Sequence, residues 1–146
     1  MDSGFLPFFH SLLRYAVLLT LLYAFAVNLR GVLQQRPILT GERAVTILAM
    51  VLCHVQLGVG GILYAMDYQM IDKMADPYRR FWKFEHIGMM VLAIALITVG
   101  RMLSKRATDE RTKQMRIVVF YGIGLLLILV AVPWPFRDEF RSLGWL

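Results

Sequence analysis

The feature that most constrains this chain is its hydropathy profile: four apolar runs at about 5–29, 44–66, 85–103 and 116–135, within 146 residues. Each is long enough to cross roughly 30 Å of hydrocarbon at about 1.5 Å per residue. Short polar segments separate them at Arg30–Arg43, Asp67–Phe84 and Lys105–Arg116, so consecutive helices should pack as antiparallel neighbours. The sequence therefore predicts an all-α membrane protein, one transmembrane domain over 1–146 folded as an up-down four-helix bundle in a lipid bilayer. Composition agrees: 58% of residues are apolar and 18% charged, against about 45–50% and 25% in soluble domains. A soluble enzyme and a disordered tail are excluded on that ground. The single cysteine, Cys53, rules out an intrachain disulfide and a cysteine-rich metal cluster.

A net charge of +6 would suggest nucleic acid in a soluble protein, but its distribution points elsewhere. The two loops on one side of the bundle carry nine basic residues (Arg30, Arg36, Arg43, Arg101, Lys105, Arg106, Arg111, Lys113 and Arg116) against Glu42, Asp109 and Glu110. The other side carries six basic residues against seven acids, including Asp2. The positive-inside bias then puts both termini and the 67–84 segment outside, the periplasmic face of a bacterial inner membrane. No nucleic-acid partner is required. The first run is also too long, and its N-terminus too poor in basic residues, for a cleaved signal peptide, so it reads as a retained helix.

Ionisable residues within hydrocarbon are costly and mark function by default. The candidates are His10, Arg14, His54, Glu85 and His86, with Gln56 beside them. Counting from helix midpoints, His10 lies roughly 11 Å outward and His86 roughly 12 Å outward, at matching depth, while His54 is near the centre. Two imidazoles at one depth on two helices can reach opposite faces of a planar macrocycle, and imidazole is a usual axial ligand of haem iron. A bis-histidine haem b between His10 and His86 needs a flat groove, for which Gly58 and Gly61 are the candidates. It needs cations for the propionates, from Arg14, Arg79 and Arg80. It also needs an aromatic wall, available from Phe8, Phe9, Phe81, Trp82, Trp134 and Phe136.

Each feature also has a plainer reading. A histidine at a helix end is often only interfacial, and glycines three apart are commonly a helix-packing face. Trp82, Trp134 and Trp145 suit an ordinary interfacial belt, and the nine methionines suit packing. His54 has no histidine at its own depth, so an interhelical hydrogen bond is the first expectation, with proton transfer or quinone contact next. Glu85 can pair with Arg14 across the bundle or orient an imidazole. Nucleotide-binding and zinc-protease motifs are absent from the sequence. Pro133 and Pro135 should stop the fourth helix, since proline lacks the amide donor and restricts its predecessor.

These residues fall into three patterns. Helix one holds H-S-x-x-R-Y (His10, Ser11, Arg14, Tyr15) and helix two H-x-Q-L-x-x-G-x-x-L-Y (His54, Gln56, Leu57, Gly60, Leu63, Tyr64). Helix three opens with W-x-F-E-H-x-G-M (Trp82, Phe84, Glu85, His86, Gly88, Met89), and helix four adds F-Y-G-I and P-W-P-F. Across all four helices the chain resembles a family of small bacterial inner-membrane proteins commonly labelled cytochrome b-like. The resemblance implies a haem-linked membrane function at His10, His54 and His86. The leading expectation is electron transfer through a bis-histidine haem in the outer half, with quinone or a periplasmic carrier as partner. The alternative is a haem-free accessory subunit of a larger respiratory or transport complex.

Overall fold

The computed structural model describes residues 4–143. Four long helices account for most of them: α1 (Phe5–Gln34), α2 (Thr40–Asp72), α3 (Asp76–Arg106) and α4 (Glu110–Ala131). A short 3-10 helix, Asp138–Leu143, follows. All four are long and apolar enough to span a membrane, with mean hydropathy between 1.8 and 2.1 over their most apolar windows. No strand occurs among the described residues. Asp2 and Trp145, which entered the charge and interface expectations, lie outside them.

Most helix ends extend past the apolar runs through added polar turns. The separating segment Asp67–Phe84 is almost wholly helical: α2 continues to Asp72, and α3 begins at Asp76 with Pro77 in its first turn. Proline suits that position, where its missing N–H would have had no partner. Asp109 caps α4 by accepting a 2.8 Å bond from the Thr112 amide. Glu42 accepts from the Leu39 amide at α2's start and forms a two-bond ion pair with Arg36, at 2.6 and 2.9 Å. That pairing raises the Arg36 guanidinium above its ordinary pKa. The fourth helix ends at Ala131, earlier than its apolar run, because Pro133 pushes Val132 into an extended conformation (ψ 132°).

Around the bundle, α1 packs between α2 and α4, and α3 packs mainly on α4 and more loosely on α2. Helices α1 and α3 therefore face each other diagonally. The apolar core runs through Leu21, Cys53, Ile97, Ile117 and Tyr121, all nearly inaccessible. Small residues bring backbones close, as expected where lipid supplies no hydrophobic drive between helices. A Cβ on Gly100 would clash with Phe120 Cβ, and one on Gly124 would meet Ile97 at 2.7 Å. Polar contacts tie the end bearing the α1–α2 and α3–α4 turns. Asn28 donates to Thr46 Oγ1 (3.2 Å), Tyr121 to the Thr46 carbonyl (2.8 Å), and buried Gln114 to the Arg36 carbonyl (2.9 Å).

Candidate functional site: two histidines on diagonal helices

His86 lies where α3 changes its winding. Residues Phe81–Glu85 form one π-helical turn between Asp76–Arg80 and His86–Arg106. Such turns re-aim side chains and are frequent at functional sites. Here the result is an aromatic collar: the Phe81 and Trp82 rings lie 5.8 and 5.5 Å from the imidazole of His86, centre to centre. Phe140 of the 3-10 helix closes over Phe81 at 4.6 Å.

The prolines after α4 complete this arrangement. A helical carbonyl seeks the amide four residues on, so Leu129 and Ala131 would need donors from Pro133 and Pro135, which have none. Side chains fill both vacancies. The Trp134 indole donates to the Leu129 carbonyl at 2.8 Å, and His86 Nδ1 donates to the Ala131 carbonyl at 2.9 Å. A carbonyl can only accept, so Nδ1 carries the proton and the His86 lone pair sits on Nε2.

His10 reaches the same state by another route. The Gln56 side-chain nitrogen donates to the His10 backbone carbonyl (2.9 Å) and lies 3.3 Å from His10 Nε2. An amide nitrogen cannot accept, so Nε2 is the acceptor and Nδ1 holds the hydrogen. Both His10 Nδ1 and Gln56 Oε1 are buried without a hydrogen-bond partner. Burying such groups unpaired costs about 1–3 kcal/mol each.

The remaining candidates are distributed differently. Arg14 donates to Tyr15 at 3.1 Å and stacks 5.7 Å from the Trp134 ring centre. It does not meet Glu85, which pairs instead with Arg80 at 2.8 Å. Arg80 is itself 78% exposed, so its role as an inward cation is replaced by a surface ion pair with its own helix. Arg79 pairs with Asp76, and Lys83 with Asp72. His54 stands apart from the other two histidines: its Nδ1 donates to Met50 O (2.8 Å), and its Nε2 faces Thr98 Oγ1 of α3 at 3.3 Å.

Gly58 and Gly61 lie on the exposed side of α2, with nothing within 4 Å of an added Cβ. The glycine against a histidine is Gly60, where a Cβ would come 2.9 Å from His10 Cε1. Its position four residues after Gln56, one helical turn along the same face, is the sequence signal that marks it. The two-proline satisfaction of α4 was not foreseeable, because it requires knowing that α3 lies beside that helix end.

Among the described residues no cluster of three or more His, Cys, Asp or Glu side chains could hold a bare metal ion. A haem iron needs only two axial donors from the protein, since the porphyrin supplies the other four. Compared with family models, curated proteins and solved structures, the chain matched none of them.

Proposed function

We propose that this protein is a membrane electron-transfer protein of the b-type cytochrome kind, with His10 and His86 as axial donors to one haem b. The observation that carries the reading is a pair of imidazoles on diagonally facing helices, with His86 Nδ1 held by the Ala131 carbonyl and His10 Nε2 beside the Gln56 amide nitrogen. Bound haem would supply one-electron chemistry. The residues supply the rest: Ala131 orients one imidazole and makes it more basic, while the Phe81–Trp82 collar excludes water. Gln56 covers the His10 lone pair with a 3.3 Å contact, weak enough to be displaced by a ligand. Arg14 and Trp134 lie on the same end of the bundle, placing positive charge for propionates.

The proposed electron donor is a membrane quinol. Its support is an apolar pocket of about 670 Å³ on the flank of α3 and α4, lined by Phe81, Met89, Leu129, Trp134 and Phe136, with Glu85 and Arg137 among its polar residues. That volume suits a small-molecule head group. Phe81 belongs both to this pocket and to the collar of His86, which gives the two sites a common wall. The proposed location is a bacterial inner membrane with both termini outside.

A second reading, a haem-free accessory subunit of a larger membrane complex, is favoured by the outward face of α2. There His54, Gly58 and Gly61 lie open, a polar and small-residue face suited to a partner helix. An optical spectrum of the detergent-purified protein, with a haem assay, separates the two. A sharp reduced α-band with about one haem per chain is expected. A folded protein that stays colourless after haem supply would overturn the cytochrome reading and favour the second.

A further inference from the structure

At the opposite end of the bundle from His10 and His86, a cleft of about 110 Å³ opens among α1, α2, α3 and α4. It has room for a group of several heavy atoms, since a single water needs only about 10–15 Å³. Its cationic lining comes from three helices: Arg43 of α2, Arg101 and Lys105 of α3, and Lys113 of α4. Its floor is polar and buried, formed by Asn28, Thr46 and Ser104, which are 2%, 4% and 4% exposed.

The nearby acids are already engaged. Glu42 is held by Arg36, and Glu110 accepts from Lys113 at 2.5 Å and from the Ile38 amide at 3.1 Å. Among the described residues no carboxylate lies within ion-pair distance of Arg43, Arg101 or Lys105. Three cations thus converge on one cavity, above a floor whose Asn28 amide and Thr46 hydroxyl hydrogens are already donated to Ala24, Thr46 and Glu42. Like charges drawn together repel unless an anion joins them, and guanidinium and ammonium groups bind phosphate oxygens through charge-assisted hydrogen bonds.

We propose that this cleft binds a tetrahedral phosphate oxyanion, either the phosphodiester of an anionic phospholipid or free inorganic phosphate. It lies at the helix ends, where lipid head groups reside, and on the side where the chain's basic residues collect. Basic pockets between transmembrane helices take acidic head groups in this way. The site is independent of haem and of the outer-end chemistry.

The test uses the full chain in a neutral detergent, following thermal unfolding by tryptophan fluorescence. One arm titrates sodium phosphate against sodium chloride at equal ionic strength. The other titrates short-chain phosphatidylglycerol against phosphatidylcholine. Stabilisation by phosphate and phosphatidylglycerol alike supports a site that takes the free ion. Stabilisation by phosphatidylglycerol alone supports a lipid site. The R101Q/K105Q variant should weaken the response about tenfold, while R106Q/R111Q, with the same charge change at exposed positions outside the cleft, should keep it. Should the first double variant not fold, Lys105→Gln alone, at an exposed side chain, must still weaken the response. The proposal is overturned if neither ligand stabilises, if phosphatidylcholine matches phosphatidylglycerol, or if both double variants lose the response equally.

Discussion

His86 Nδ1 lies 2.9 Å from the Ala131 carbonyl, the acceptor that Pro135 leaves without a helical donor. One bond therefore closes the end of α4, joins it to α3 and sets the His86 tautomer. The carbonyl that ends α4, just before a proline motif that reads in sequence only as a helix stop, thus orients a side chain 45 residues away. Such a bond to a neutral donor contributes about 0.5–1.5 kcal/mol. Its larger consequence is chemical, because it leaves the imidazole lone pair on Nε2.

If the two diagonal histidines hold a haem, His10→Ala or His86→Ala abolishes its retention, whereas His54→Ala leaves it largely intact. Haem content per chain after purification measures this. Stoichiometric haem in the double variant of His10 and His86 would sink the assignment.

Gly60→Ala separates stability from site geometry. The added methyl would sit 2.9 Å from His10 Cε1, so the imidazole must move and its 3.3 Å contact with Gln56 is lost. That loss, about 0.5–1.5 kcal/mol, is offset by a gain of about 0.8–1 kcal/mol from replacing glycine within a helix. Unfolding should therefore stay close to that of the parent while the His10 ring nitrogen NMR shifts change. Unchanged shifts would refute the contact.

Two glycines of α3 should respond in opposite directions. At Gly100 a methyl would clash with Phe120 Cβ, an atom fixed to its backbone, so α3 and α4 must separate. Gly100→Ala is expected to cost about 1–3 kcal/mol. At Gly88 nothing lies within 4 Å, and Gly88→Ala should stabilise by about 0.5–1 kcal/mol. Denaturation of both variants in the same detergent checks the sign of each.

The α4 cap predicts an acid limb. Hydrogen bonds from Thr112 hold the Asp109 carboxyl below its ordinary value of 3.8. A depressed folded pKa means the cap stabilises fully above that ordinary value and loses its contribution as pH falls through the lower folded one. Asp109→Asn keeps a capping oxygen without the titration. Its unfolding midpoint should thus fall less than the parent's between neutral pH and pH values below 3.8. Equal losses would mean the cap is not what titrates.

Hydropathy alone determined the four spans and the inventory of polar residues, because a long apolar run has few ways to satisfy its backbone in lipid. It also placed His10 and His86 at one end, since depth follows from counting along a helix. What it could not determine was which faces meet. Whether Gly58, Gly60 or Gly61 stands against His10, and whether Glu85 takes Arg14 or Arg80, depends on rotations of about 100° per residue and on helix order. The π-turn at Phe81–Glu85 shifts that phase again. Only the packed bundle decided those pairings, because each is a contact between helices whose separation along the chain carries no information about their relative rotation.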